Sequence, residues 1–160
     1  MRLYLVRHAH AVPAEENVRR PLSARGRKTG RQIAAFFRAN GTLQPGQVWH
    51  SPLERARETA EILARGLGLS PKMLVETPGL LPDDDPADIV RRLASAGEDL
   101  ALVGHEPYLS ALATRLVYGK RKWPIFEFKK GAVLCLEQTG ACWRICWYFS
   151  PEMLPTKAGR

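Results

Sequence analysis

The hydrophobic positions along this chain form short continuous runs that alternate with longer periodic segments. Leu3–Val6 and Leu100–Val103 are continuous apolar runs of the length expected for buried strands. The segments between such runs carry apolar residues every three or four positions, which is typical of amphipathic helices. Ala132–Leu136 and Trp143–Phe149 flank Thr139-Gly140 and predict a hairpin. The pattern predicts an α/β fold: a single three-layer α/β/α domain with a mostly parallel sheet and a carboxyl-terminal hairpin.

Local start and stop signals divide the periodic segments into helices. Start signals stand at Ser23, Ser51-Pro52, Asp85-Pro86 and Pro107. In Ser51-Pro52 the serine can cap the helix, and proline suits the first helical position, where the backbone N–H needs no partner. Two further short strands are predicted at Val48–His50 and Met73–Val75. We expect one domain over residues 1–150, followed by a polar tail over residues 151–160.

Composition and cysteine usage narrow the class of protein. The hydrophobic content of 45% is ordinary for a globular protein, and no apolar run approaches the length of a membrane span. The amino terminus shows no secretory leader pattern. Cys135, Cys142 and Cys146 give neither a disulfide framework nor a complete zinc ligand set. We expect reduced, mostly buried cysteines in a cytoplasmic, monomeric protein; a disulfide across the hairpin is the alternative that the spacing leaves open.

The net charge of +8 comes from basic clusters along the chain. These clusters are Arg19-Arg20, the segment from Arg25 to Arg31, Lys120-Arg121-Lys122 and Lys129-Lys130. Such a field attracts anionic partners, although each cluster can also be a solvated face. Most aromatic residues lie within apolar runs rather than between basic residues, and no nucleic-acid-binding module is recognisable. Charge alone does not choose among nucleic acid, anionic membranes and phosphorylated partners, so it predicts only a preference for anionic partners. We expect neither nucleic acid nor a membrane to be the partner.

Two histidines occupy matching positions, each directly after a predicted strand. Arg7-His8 ends the first strand and Gly104-His105 ends a later one. Ligands of open α/β sheets bind at the carboxyl ends of the strands, so two imidazoles there favour chemistry over the alternative of buried structural histidines. Arg55, one turn into the second helix, can return its side chain to the same edge. The amino termini of two helices also point there and favour anions.

These residue types suit phosphoryl transfer. Arginine forks match phosphate oxygens, and a neutral imidazole next to cations keeps its lone pair for attack. We hypothesise that His8 attacks phosphorus and forms a covalent phosphohistidine that water hydrolyses. His105, charged when phosphate is bound, would join Arg7 and Arg55 in stabilising the transferring oxygens. Spacing does not decide which histidine attacks; adjacency to Arg7 favours His8. Phosphate contacts from Arg20 remain open.

Several motifs together resemble the histidine phosphatase superfamily, which has the phosphoglycerate-mutase-like fold. They are Leu5-Val6-Arg7-His8-Ala9, Pro21-Leu22-Ser23 with Gly26, Ser51-Pro52-Leu53-Glu54-Arg55-Ala56 with Thr59-Ala60, and Gly104-His105. Within it the chain is similar to SixA-type phosphohistidine phosphatases, through Leu81-Pro82 with Asp85, Pro124–Phe128 and Ser150-Pro151. The resemblance implies a His8 nucleophile, a phosphate pocket of Arg7, Arg55 and His105, and no cofactor or metal. Ala9 departs from the commonest pattern, which has glycine there.

The proton donor and the substrate are less directly encoded. Asp85, within Asp83–Asp85, and Glu106 are candidate donors, but Asp85 could equally cap the helix before Pro86, and Glu106 could be a first-turn helix acid. The P–N bond of a phosphohistidine substrate is labile, so that substrate need not require a dedicated acid. Apart from the loops over Ala9–Leu22 and Gly119–Lys130 the connections are short, and no insertion has the size of a lid, which suits a phosphoryl group on a protein surface. We therefore expect a phosphohistidine phosphatase acting on a phosphotransfer or signalling protein.

Other functions fit parts of the same pattern. A small-molecule phosphomonoesterase or a phosphomutase would share the fold and most of the site. A metal-dependent hydrolase could use His8 and His10 with His105 and Asp83–Asp85, although Arg7 and Arg55 would repel a cation. A non-catalytic module could bind phosphorylated proteins through the same pocket. Nucleic-acid binding rests only on the basic surface.

Overall fold

Strands and helices alternate along the chain in a computed structural model that describes residues 1–121 and 123–155. Within these residues the strands are β1 (Arg2–Arg7), β2 (Gln47–His50), β3 (Leu74–Glu76), β4 (Leu100–Gly104), β5 (Val133–Thr139) and β6 (Cys142–Phe149). The α-helices are α1 (Ala24–Asn40), α2 (Glu54–Leu67), α3 (Ala87–Leu93) and α4 (Tyr108–Tyr118). Short 3₁₀ helices cover Pro71–Met73 and Pro151–Met153. Each predicted strand and helix is present, with ends shifted by a few residues.

The six strands form one mixed sheet in the order β3-β2-β4-β1-β5-β6. β1 to β4 run parallel, because a helix crosses back between successive strands of this group. β5 runs antiparallel to β1, and a two-residue turn that contains Gly140 joins it to antiparallel β6. Arg7 pairs with Gly104, and His50 pairs with Val103. The carboxyl ends of β1, β2 and β4 therefore lie side by side at one edge.

Helices cover both faces of the sheet. Leu3, Leu5 and Leu102 belong to one apolar core, which contains residues of α3 and α4. Tyr4 and Val6 belong to the second core, on the side of α1 and α2. Since both faces are buried, successive strand residues are apolar, and this is why the strands read as continuous runs in the sequence. The predicted three-layer α/β/α architecture is confirmed.

The predicted start of the second helix at Ser51-Pro52 is wrong by two residues. α2 begins at Glu54, and its N-cap position is Leu53 without a side-chain cap. Ser51 remains part of the sheet edge, because its N–H donates to the carbonyl of Val103 at 3.1 Å. Its hydroxyl consequently lies at the carboxyl end of the sheet, where it contacts His105. Ser23, in contrast, caps α1 as predicted by accepting from the N–H of Gly26 at 3.1 Å.

The carboxyl-terminal segment contributes to the core on the α1 and α2 side. Of the predicted tail, residues 151–155 are described, and Leu154 packs against this core; residues 156–160 lie outside the described residues. All three cysteines are free thiols as predicted. The expectation that they are mostly buried is wrong, because only Cys135 on β5 is buried, while Cys142 and Cys146 lie exposed on the edge strand β6. Within the described part of the chain, no helix has the length and apolar character needed to cross a membrane.

Candidate active site

His8 lies immediately after β1 with its ring held by backbone groups. Its N–H donates to the carbonyl of Gly104 at 3.0 Å, and its side chain is only 5% exposed. Nδ1 lies 2.7 Å from the carbonyl oxygen of Ala9. A carbonyl only accepts, so Nδ1 carries the proton and Nε2 of the neutral ring keeps its lone pair. The sequence places a histidine here, but only the fold specifies which nitrogen is free.

His105 faces His8 across the strand ends. The two ring centroids are 5.1 Å apart, with planes tilted by 54°. Nε2 of His105 lies 2.8 Å from Oγ of Ser51, which joins the ends of β4 and β2. Its Nδ1 is buried and has no hydrogen-bond partner among the described residues. Ser51 is thus a positioning residue for His105, a role that its predicted capping function concealed.

Burial keeps both imidazoles neutral. It is the largest cause that lowers the pKa of His8 to about 3. The hydrogen bond to the Ala9 carbonyl opposes this shift, and the positive charges of Arg55 and Arg7 add to it. The pKa of His105 is lowered to about 3 as well, by burial and then by His8, Arg55 and Arg7. Neutrality of His8 is what an attacking lone pair needs. The expected charge on His105 requires an anion beside it, because the surrounding cations otherwise oppose its protonation.

Arg7 and Arg55 lie near the two histidines, and each arginine has an N–H donor without a hydrogen-bond partner among the described residues. Nη1 of Arg7 donates to the carbonyl of Phe128, which orients the guanidinium, whereas its Nε has no partner in the described structure. Nε of Arg55 is also buried and without a partner among those residues. Buried N–H groups without partners cost free energy, on the order of 1–3 kcal/mol each. An anion with several acceptor oxygens would satisfy both of them together with Nδ1 of His105.

The loop after His8 is tied to α2, the helix that carries Arg55. The N–H of Ala9 donates to Oγ1 of Thr59 at 3.1 Å, and that hydroxyl donates to the carbonyl of Arg55 at 2.7 Å. Thr59 belongs to a motif that the sequence singled out by resemblance, and the structure supplies its physical role. It couples the backbone beside His8 to the backbone of Arg55.

Arg20 and Lys130 belong to the same cationic neighbourhood; the sequence left phosphate contacts from Arg20 open and gave Lys130 no individual role. Burial is the largest cause that lowers the pKa of Arg55, and the positive charge of Arg20 lowers it further. The charge of Arg20 also lowers the pKa of His105. The backbone of Arg20 is in the left-handed region with φ of 51°, where a residue with a long side chain is uncommon. Lys130 reinforces the lowered pKa of His8. The signal for Arg20 was its position directly before Pro21-Leu22-Ser23.

The two candidate proton donors have other contacts. Asp85 accepts from the N–H of Ala87 at 2.9 Å and pairs with Arg115 at 3.3 Å, so the alternative of a capping role fits its geometry. Glu106 accepts from the hydroxyl of Ser110 at 2.6 Å and from the N–H of Phe128 at 2.8 Å. It therefore fixes the loop whose carbonyl orients Arg7.

The residues weighed for a metal site do not gather into one. Nδ1 of His10 contacts Oγ of Ser23 at 2.8 Å, and Asp85 pairs with Arg115. Across residues 1–121 and 123–155 there is no group of three or more His, Cys, Asp or Glu side chains arranged to hold a metal ion. The donors that do converge are N–H groups, and these match an anion.

Comparisons with known proteins agree with this geometry. A family model described as the histidine phosphatase superfamily (branch 1) matches residues 3–80. An uncharacterized protein of Picosynechococcus is 32% identical over 149 residues, which cover 88% of this chain and 87% of that protein.

Solved structures share the fold over almost the whole chain. The structure of the protein histidine phosphatase SixA complexed with tungstate has a TM-score of 0.83 at 24% identity, and the match covers 97% of this chain and all of that one. The alpha-ribazole phosphatase from Shigella flexneri has a TM-score of 0.76 at 18% identity, over 94% of this chain and 97% of that one. These identities establish a common fold, whereas the activities are those of the named proteins.

Arg7, His8 and Arg55 lie within the residues that the family model matches, and the pairing of β1 with β4 brings His105 to them. With this model and a relative matched over most of its length, the chain belongs to the histidine phosphatase superfamily.

Proposed function

We propose that this protein is a metal-independent phosphatase that hydrolyses phosphohistidine on proteins through a covalent intermediate on His8. The observation that carries the proposal is the free Nε2 of His8. Its Nδ1 proton is held by Ala9, and its ring faces His105 among unsatisfied donors of Arg7 and Arg55. A neutral nucleophile beside unused cationic donors suits attack on a phosphoryl group.

In the first step the lone pair on Nε2 of His8 forms a bond to phosphorus. The P–N bond of the substrate breaks, and its electron pair leaves with the substrate imidazole, which takes up a proton. Arg7, Arg55 and His105 stabilise the charge on the transferring oxygens. Removing one such donor typically costs about 3–4 kcal/mol of transition-state stabilisation.

In the second step a water molecule attacks the phosphorus on His8. The P–Nε2 bond breaks, the electron pair returns to His8, and the water proton leaves with the inorganic phosphate or the solvent. The imidazole leaving group of the first step is basic enough to accept a proton without a dedicated acid. Glu106 and Asp85 stay candidate donors for an alcohol leaving group, with Glu106 the one linked to Arg7 through Phe128.

A protein substrate is favoured by the open border of the site. Arg25 and Lys130 lie exposed beside it. Two connections are longer than the others, those between β1 and α1 and between α4 and β5, and neither contains a helix among its described residues. Similarity to a protein histidine phosphatase supports the same substrate class. Similarity to an alpha-ribazole phosphatase keeps a small-molecule phosphomonoesterase as the competing function.

Trapping the intermediate tests the mechanism. A ³²P-labelled phosphohistidine peptide mixed with the protein and quenched in alkali should leave an acid-labile label, and His8→Ala should lose both label and turnover. His50→Ala is a matched control, because His50, the last residue of β2, is also 5% exposed and its Nδ1 contacts the carbonyl of Ser51 at 3.0 Å. Circular dichroism establishes that each variant is folded.

A substrate panel run with the same proteins tests the substrate. Phosphohistidine peptides should be cleaved with a kcat/KM well above that for sugar phosphates and nucleotides. Faster cleavage of small phosphate esters would instead establish the competing phosphomonoesterase. Label on the protein in the His8→Ala variant would show that another residue is the nucleophile.

A further inference from the structure

A second concave surface adjoins the phosphate pocket at Arg7. This cationic crevice is lined by Arg7, His10, Arg25, Lys129, Lys130 and Ser150, and its volume is about 400 Å³. Arg25 comes from the first turn of α1, while Lys129 and Lys130 precede β5. Because Arg7 lines the crevice and also belongs to the phosphate pocket, one ligand can reach both.

Positive charge in the cationic crevice is only partly neutralised. Lys129 pairs with Glu152 at 2.7 Å, and both side chains are exposed. Arg25 and Lys130 form no ion pair with any described carboxylate. Burial is the largest cause that lowers the pKa of Lys130, and repulsion from Arg7, Arg20 and Arg25 lowers it further. These cations therefore lie close to one another. Such crowding favours an anion between them.

Ser150 gives a second, independent indication of a ligand. It is 8% exposed, and its Oγ is buried without a hydrogen-bond partner among the described residues. A buried hydroxyl is normally hydrogen-bonded, and an unsatisfied one in a native protein calls for an explanation. Ser150 lines the crevice together with the cations, and an acceptor oxygen bound there would satisfy its hydroxyl.

We propose that the cationic crevice binds a carboxylate of the substrate protein, from an Asp or Glu side chain close to its phosphohistidine. This inference rests on the proposed function and adds a preference for acidic surroundings. Glu152, which also lines the crevice and pairs with Lys129, offsets part of the positive charge, and this favours a monoanionic carboxylate over a second dianionic phosphoryl group. The shared Arg7 places the carboxylate next to the phosphoryl group.

Two synthetic phosphohistidine peptides that differ only in Glu or Gln at the flanking positions test the preference. The wild-type protein should cleave the Glu peptide with a kcat/KM about two- to fivefold higher, which lies within the range expected for an exposed charge pair. Arg25→Gln should bring the ratio close to one, and Ser150→Ala should reduce it. Arg31→Gln, which removes another exposed cation of α1 outside the crevice, should keep the wild-type ratio.

The outcomes separate this inference from the proposed function. If both peptides are cleaved equally well, or if Arg25→Gln keeps the full preference, the crevice does not bind a substrate carboxylate while the phosphatase activity stands. If neither peptide is cleaved, the proposed function fails and this inference with it. Arg25→Glu offers a further check, because it should make the Gln peptide the better substrate.

Discussion

Local geometry alone does not distinguish the nucleophile from its neighbours at the residue scale. His8 and His50 are both buried histidines at the carboxyl ends of parallel strands, and each holds its Nδ1 against the carbonyl of the next residue. His8 differs because its ring faces His105 and lies near Arg7 and Arg55. His50 instead borders a groove that also contains Arg57 and Glu61. The neighbours, and not the ring or its hydrogen bond, define the role of His8.

The lowered pKa of His8 predicts a pH-dependent stability. The unfolded chain binds a proton at this histidine below its ordinary pKa of 6.5, whereas the folded protein binds it only near pH 3. Between about pH 6.5 and about pH 3 the unfolded state therefore holds more protons, and the free energy of unfolding falls on acidification by up to about 1.4 kcal/mol per pH unit. The stabilising contribution is complete above pH 6.5.

Denaturant unfolding at several pH values measures this contribution. The His8→Asn variant lacks the titrating group, so its stability relative to the wild type should rise as the pH falls through this window. Carboxylate titrations are common to both proteins and cancel in the difference. Parallel stability curves for the two proteins would show that His8 titrates normally and would contradict its neutrality at acidic pH.

At the scale of elements, the start of α1 is fastened to the loop that follows the nucleophile. Ser23 donates its N–H to the carbonyl of His10 at 3.0 Å and caps the helix through Gly26. A Cβ at Gly26 would lie 2.0 Å from the carbonyl oxygen of His10. Only glycine permits the helix to approach this backbone so closely, which explains why Gly26 accompanies Pro21-Leu22-Ser23 in the motif.

Gly26→Ala should therefore disturb both stability and activity. Because the contact is with backbone, α1 and the loop must separate, and we expect a loss of about 1–3 kcal/mol in the free energy of unfolding. The same shift should reduce kcat, since the loop begins at His8. Gly97→Ala is the control, because a Cβ there meets nothing within 4 Å. Equal stabilities for the two variants would show that the contact at His10 is not tight.

For the whole molecule, several of the cations lie together where the sheet presents its carboxyl ends. The net charge is +8, and Arg7, Arg20, Arg55 and Lys130 are close enough to alter the pKa values of site residues. A focused field of one sign accelerates the encounter with oppositely charged substrates. Binding of an anionic phosphoprotein should accordingly depend on ionic strength.

The measurable consequence is a salt-sensitive kcat/KM. Raising NaCl from about 20 to about 200 mM shortens the screening length and should lower kcat/KM for a phosphohistidine peptide severalfold. The change should lie mainly in KM, because buried donors at the phosphoryl group are screened less. Unfolding curves at the same salt concentrations control for stability. An unchanged kcat/KM would show that the cationic field does not assist binding.

The sequence by itself predicted the layered fold and the candidate site residues Arg7, His8, Arg55 and His105. Continuous runs such as Leu100–Val103 specify strands buried on both faces, since each residue needs an apolar environment whichever way it points. Placing His8 and His105 at strand ends was also within reach, because parallel strands end at a common edge. These inferences depend only on the order of apolar and polar residues along the chain, which can be read from the sequence.

Only the tertiary structure decided which atoms meet. Ser51 turned out to hold His105 instead of capping α2, because its N–H stays paired with β4. Arg20 joins the site from a loop, and Glu106 accepts a hydrogen bond from the N–H of Phe128. The hydrophobic pattern of the sequence predicts neither of these contacts. Hydrogen-bond partners and pKa values arise from burial and from contacts between residues far apart in sequence. The folded arrangement therefore establishes the free Nε2 of His8 and its cationic surroundings.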